Sequence, residues 1–287
     1  MLTAKFLNLL SRQVWAIDAG YVRGVMAAMP ELIGILKARH AGEAKERPAA
    51  GPPVAAVEAK GLVKSKIGVL KMSGPIVKGV SEEEAYWYGL CSVDKVHSAA
   101  AQVQAEGINH LILHLDSPGG MVCGIAEAAE RLADLRTSGV TLTAYTDTLA
   151  CSAAYWLAAA CDEIIAAPSA MVGSIGCICL CLDNSGLYEK LGLKPEYFVN
   201  EGSEAKLFGR SGLPWSDEAR ASFQESVDLV GAEFKAHISE RRPGITDADM
   251  NGDAWDAGTA PAGYVDHTHA NGRPISTLGD LLSILTL

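Results

Sequence analysis

From Lys66 onward the chain alternates short apolar runs of strand length with stretches whose apolar residues recur every three or four positions. This alternation restricts the fold more than any other feature of the sequence. "KIGVLKMSGPIV" reads as a strand stopped by Gly74 and Pro75, and "HLILHL" as a buried strand ending at "DSPGG". "VTLTAYT", "EIIAA", "CICLCL" and "EYFV" read as further strands. Between them, Ser81 and Glu84 have the spacing of a capping box, and "GIAEAAERLADLRTSG" is a helix stopped at Gly139. "SAAYWLAAA" and "GLYEKLG" are shorter helices, and a long one runs from about Ser216 to Arg241. Strands separated by crossover helices predict an α/β domain with largely parallel pairing.

The first 65 residues have a different texture. Val22, Val25, Met26, Met29, Leu32, Ile33 and Leu36 fall near helical spacing, with Pro30 placed to break or kink the run. "KERPAAGPPVAAVEAKG" has no apolar periodicity and reads as a linker. The expected organisation is an amphipathic helical arm at 1–46, a linker at 47–65 and the main domain at 66–287. Residues 1–60 carry eight Lys/Arg against five Asp/Glu, a net +3, whereas the whole chain carries −10. A net negative protein repels phosphates, and no zinc-finger or basic-helix pattern is present, so nucleic acid is not an expected partner. Arg23, Pro30 and Glu31 interrupt the most apolar N-terminal stretch, and an early Arg12 spoils a secretory pattern. A cytoplasmic protein with no membrane span and no export is expected. Seven cysteines, with Cys177, Cys179 and Cys181 alternating along one run, read as core-filling thiols of a reducing compartment rather than a metal site or disulfides.

Two stretches have the residues of a reactive centre. "DSPGG", Asp116 to Gly120, closes a buried strand, the end at which open α/β sheets bind ligands. Its two glycines let backbone N–H groups approach a developing oxyanion, although an ordinary strand-to-helix turn has the same composition. Ser152 in "DTLACSAAYW" stands at the start of a helix, among Ala150, Ala153 and Ala154. A serine there is commonly an N-cap whose oxygen accepts a backbone hydrogen bond. The same place offers helix-terminal N–H groups to an anion formed beside the serine. Such a serine needs a base. His237, His267 and His269 follow it without a motif that implies convergence, and Lys190, Lys194 and Lys235 fall on polar helix faces. Lys206 lies in a loop with Gly202, Gly209 and Gly212, which can bury an amine and so favour its neutral form.

Together, "HLDSPGG", "ACSAAYWLAAACDEIIAAPSAMVGSIG", "YEKLGLKPEYFVNEGSEAK" and "AGYVD" resemble, in order over about Lys66 to Asp266, the Ser-Lys peptidase family of signal peptide peptidase A and phage capsid proteases. "VWAID" and the following amphipathic stretch are more like the phage members. The resemblance implies a ClpP/crotonase-like spiral of ββα units, Ser152 as nucleophile and Lys206 as base. It implies oxyanion and substrate contacts at Gly119, Gly120 and Ala153, a supporting role for Ser174, and no metal or cofactor. It also implies a homo-oligomer acting on protein or peptide substrates. The phage likeness narrows these to scaffold, portal or capsid proteins inside a prohead. A signal-peptide or oligopeptide peptidase, a crotonase-like acyl-CoA enzyme and a non-catalytic assembly scaffold are the alternatives. Two features depart from the family pattern: Cys151 stands where a small residue usually precedes the serine, and "EGSEAK" lengthens the lysine loop.

Overall fold

The computed structural model describes residues 15–17, 54–58 and 66–286. Its elements in chain order are β1 (Trp15–Ile17), β2 (Val54–Glu58), β3 (Lys66–Ser73), β4 (Ile76–Val77), α1 (Glu82–Tyr88), β5 (Cys91–Ser92) and α2 (Asp94–Glu106). There follow β6 (His110–Asp116), β7 (Gly119–Met121), α3 (Ile125–Thr137), β8 (Thr141–Thr146), β9 (Leu149–Cys151), α4 (Ala153–Ala159), β10 (Glu163–Ala166) and β11 (Met171–Gly173). The last are α5 (Ser185–Lys190), a 3-10 turn at Glu204–Leu207, α6 (Asp217–Arg241), β12 (Ala254–Asp256), β13 (His269–Ala270), β14 (Arg273–Pro274) and α7 (Leu278–Leu285).

The chain forms two units. The larger takes in Trp15–Gly176 and Glu233–Leu287. Its main sheet has the order β10-β8-β6-β3-β2, with β3, β6, β8 and β10 mutually parallel and β2 antiparallel at the edge. Parallel neighbours need crossovers, and here each crossover is a second short strand followed by a helix: β3-β4-α1, β6-β7-α3, β8-β9-α4. The second strands form two smaller sheets, β1-β7-β4-β5 and β12-β11-β9. The main strands are apolar at successive positions because both faces are covered: Leu111 to Leu115 are all buried. α3 turns Ile125, Ala128, Ala129, Leu132 and Leu135 inward, one stripe at helical spacing. Leu281 of α7 joins Ile67, Val69, Ile112, Tyr145, Ile165 and Ile275 in a cluster on the sheet. The capping box at Ser81 and Glu84 is formed as the spacing predicts, and Gly139 follows α3 at φ 93°.

The smaller unit includes Cys177–Ala232. Asn184 Oδ1 accepts from the Gly212 N–H at 2.7 Å, and Asp183 accepts from the Ser185 hydroxyl and N–H and from the Trp215 N–H. These bonds, the Ser185 hydroxyl foremost, hold the Asp183 carboxyl below its usual range.

Three expectations are corrected. "EYFV" is irregular chain and "CICLCL" forms no strand beyond a single bridge at Ile178, so Cys177, Cys179 and Cys181 do not share a strand face. The Cys179 and Cys181 thiols instead lie 3.6 Å apart. Apolar alternation alone does not make a strand: the first run forms only a single bridge, at Ile178, and Phe198 of the second is left 91% exposed. Within the segment read as linker, Val54–Glu58 is β2, paired in register Val54↔Leu70 to Glu58↔Lys66, because β3 offers it an edge. Within the segment read as a helical arm, Trp15–Ile17 is a strand. The helix expected over residues 21–36 lies outside the described residues.

Candidate active site

The serine motif is built by two short strands that leave the main sheet together. Ser117 donates its N–H to Leu149 O (2.9 Å) and accepts at its carbonyl from the Cys151 N–H (3.1 Å), tying "DSPGG" to β9. Asp116 is a structural tie as well: its two oxygens accept from the Ser73 hydroxyl at 2.8 Å and the Thr148 hydroxyl at 2.7 Å. On its other side β9 pairs with β11, Cys151 opposite Gly173. The Ser152 N–H then donates to Gly173 O at 2.7 Å. Ser152 and Ser174 thus leave adjacent strand ends, and both have positive φ, 55° and 53°.

Ser152 is fully buried, with φ 55° and ψ −119°, outside the regions that L-residues with a Cβ ordinarily occupy. Its hydroxyl makes no capping bond to α4. Ser152 therefore stands at the N-cap position without the side-chain capping bond that the sequence left open. The hydroxyl instead donates to Gly176 O at a long 3.4 Å. A strained serine on a sharp strand-to-helix turn, with its oxygen not committed to the helix, is a geometry that reactive serines adopt.

Around it, Ala153 opens α4, where the first N–H groups lack partners within the helix. Gly119 and Gly120 form β7, and Gly120 must be glycine: a Cβ there would stand 1.8 Å from Ile76 O. Gly119, at φ 100°, donates its N–H to Ser117 Oγ at 3.2 Å, so an oxyanion would compete with that hydroxyl for it. Ser174 is buried, and its N–H donates to Asp253 O at 2.7 Å. Ser117 and Gly176 were not singled out from sequence. "DSPGG" and "VGSIG" contain them, but only the pairing of β9 with its neighbours shows that they hold the Ser152 turn.

Ser152, Ala153, Gly119, Gly120 and Ser174 all belong to the larger unit. Lys206 belongs to the smaller one, in the 3-10 turn, where its carbonyl accepts from Arg210 Nε at 2.8 Å. Its side chain is exposed, so the burial expected of it is not provided within the single chain. Among the described residues no histidine is hydrogen-bonded to Ser152. His114 Nε2 is bonded to Asp147 at 3.1 Å and His110 Nε2 to Thr143 at 2.9 Å. His237 is packed 6.0 Å from the Trp156 ring, and burial drives its imidazole down to about 4.

"AGYVD" buttresses this turn from behind. Tyr155 of α4 donates to Tyr264 O at 2.9 Å, and Arg242 forks onto both oxygens of Asp266 at 2.8 and 2.9 Å. Asp266 also accepts from the Ile164 N–H at 2.8 Å, fixing β10.

A buried serine on a strained strand-to-helix turn, beside a glycine strand and with no histidine bonded to it among the described residues, makes a candidate acyl-transfer site. The profile of peptidase family S49 matches residues 134–277. The chain belongs to that family. It is 29% identical over 152 residues to the probable protease SohB of Buchnera aphidicola subsp. Acyrthosiphon pisum, covering 51% of this chain and 44% of the relative. It is 36% identical over 89 residues to the putative signal peptide peptidase SppA of Enterococcus faecium, 31% of this chain and 26% of the relative. It is 26% identical over 182 residues to the capsid assembly protease C of Escherichia phage lambda, 62% of this chain and 40% of the relative. The chain spans about half the length of the SohB relatives it matches. Among the described residues, no helix is long and apolar enough to cross a membrane.

Proposed function

We propose that the chain is a serine endopeptidase working through an acyl-enzyme. Ser152 attacks the scissile carbonyl, Lys206 takes its proton and returns it to the leaving amine, and water then releases the acyl group. N–H groups of Gly119, Gly120 and Ala153 hold the oxyanion, and Ser174 supports the dyad. The observation that carries this reading is the Ser152 turn itself, strained and uncapped, in a member of a peptidase family. The β3-β4-α1, β6-β7-α3, β8-β9-α4 repeat supports the ClpP/crotonase-like spiral.

A lysine base works in a covered, dry site, and Lys206 is exposed in the single chain. Lys206 therefore acts only when something covers it, and association of copies is the simplest cover. Ile178, Leu180, Leu182, Leu187, Leu191 and Phe198 are exposed in the same unit, an apolar surface that favours a homo-oligomer.

The finer role is processing of scaffold, portal or capsid proteins inside a phage prohead in the host cytoplasm. The likeness to the lambda protease and the N-terminal "VWAID" favour it. The likeness to SohB and SppA favours instead a peptidase of signal peptides or oligopeptides. A fluorophosphonate probe with peptide mass spectrometry tests the shared chemistry. Labelling at Ser152 that disappears in Lys206→Ala is expected. Wild-type cleavage by Ser152→Ala or Lys206→Ala would overturn the dyad.

A further inference from the structure

We propose that Trp15–Ile17 is a tethered occupant of the strand that holds an extended peptide substrate, so that the chain's own N-terminal segment competes with peptides for the site. The proposal rests on the reading of Ser152 as a peptidase nucleophile. β7 has two edges. One is paired with β4, Ile76 opposite Gly120, and the other carries β1, with Trp15 opposite Met121, Ala16 opposite Gly120 and Ile17 opposite Gly119. Without β1, β7 is an edge strand whose backbone groups face outward. An edge of that kind takes up a peptide as an added strand, with main-chain hydrogen bonds supplying the affinity.

This edge begins at the nucleophile. Ser117, two residues before Gly119, is bonded to both Leu149 and Cys151, and Cys151 precedes Ser152. Because β1 is antiparallel to β7, it runs from Met121 toward Gly119, that is, toward the Ser117 end. A substrate in the same place would lay the residues before its scissile bond along β7 and bring the next carbonyl to Ser152. β1 lies along the same glycines that the oxyanion requires. The register also describes the ligand: an extended, mostly apolar peptide with a small residue opposite Gly120, as Ala16 is.

The attachment is weak by itself. Three residues offer only a few backbone bonds, each of modest net worth in water. The covalent tether compensates, since an attached segment competes at an effective concentration on the order of millimolar. A free peptide must wait for β1 to leave, and its apparent affinity falls by the fraction of time the edge is open.

The test uses the full chain carrying Ser152→Ala, so that nothing is cleaved, with and without Ala16→Pro and Ile17→Pro together. Adjacent strand residues point their N–H groups to opposite sides, so one of two neighbouring prolines removes the donor facing β7. The probe is a fluorescent peptide of residues 11–20, read by anisotropy, alongside amide hydrogen exchange at Gly119–Met121. The proline pair is expected to speed exchange at these amides about tenfold. It is also expected to tighten peptide binding at least about fivefold. A chain lacking residues 1–17 should show the same two shifts, which guards against misfolding of the proline variant. Unchanged exchange in both variants, or faster exchange with unchanged peptide affinity, would overturn the proposal. Neither readout needs catalysis, so an unreactive Ser152 in the wild-type chain would defeat the peptidase reading while leaving this result standing.

Discussion

Ser152 shows how a residue can be held against its own preferences. Its φ of 55° is fixed from both sides, by the N–H bond to Gly173 O and by the start of α4 immediately after it. Such conformations cost of order 1–3 kcal/mol and persist only where the surroundings over-determine them. Ser152→Gly removes the Cβ that makes the conformation costly. It should raise the thermal midpoint, by about 1 kcal/mol in stability, while abolishing probe labelling. A lower midpoint would show that the serine is not strained. Gly120→Ala has the opposite sign. Its methyl would enter the space of Ile76 O, a backbone atom that cannot swing aside, so a loss of about 2 kcal/mol or more is expected in urea unfolding.

At the scale of elements, the turn is only as good as what stands behind it. Trp156 of α4 stacks on Phe234 of α6 with centroids 4.5 Å apart, and both are buried. Phe234→Ala should cost about 3–5 kcal/mol, measured by denaturant midpoint at constant m. The Arg242–Asp266 fork joins the end of α6 to the strand β10. Burial alone would raise the Asp266 pKa. The hydrogen bonds from Arg242 and the Ile164 N–H and the charge of Arg242 outweigh it, so the carboxyl is held below its usual range. A depressed folded-state pKa contributes stability that is present above the unfolded carboxylate pKa and is lost as pH falls through the folded one. Stability should therefore decline on acidification below about pH 4. Asp266→Asn should flatten that acid limb and lower stability at pH 7. Asp266 is partly exposed, so about 2–3 kcal/mol is expected rather than the upper range for a fully buried pair. An unchanged acid limb in the variant would assign the decline to other carboxylates.

At the scale of the molecule, the two units have different characters. The larger carries the main sheet and the serine turn, while the smaller carries Lys206 and a run of exposed apolar side chains from Ile178 to Val199. An apolar surface of this kind supports the proposed association of copies, which the net charge of −10 on each copy opposes. Leu182→Glu with Phe198→Glu should lower the sedimentation coefficient at micromolar concentration and abolish peptide cleavage together, with the far-ultraviolet spectrum unchanged. Cleavage that survives in the smaller species would separate catalysis from assembly.

The alternation of apolar runs and helical stripes determined the α/β class, most helix limits and the Ser81 cap, because burial periodicity and capping are local properties of the chain. The motif order also led to the expectation that Ser152 and the two glycines belong to one site, and both stretches fall in the larger unit. Tertiary structure decided the rest, for reasons that local pattern does not contain. "CICLCL" and "EYFV" look like strands, but the first forms only a single bridge at Ile178 and the second none, whereas Val54–Glu58 and Trp15–Ile17, read as linker and arm, become strands because β3 and β7 present edges to them. A strand is a pairing of two segments, and its existence depends on the partner. The uncapped hydroxyl of Ser152 follows from the same cause: β9 and β11 end side by side, and their pairing holds the serine in a conformation that its own residue type disfavours.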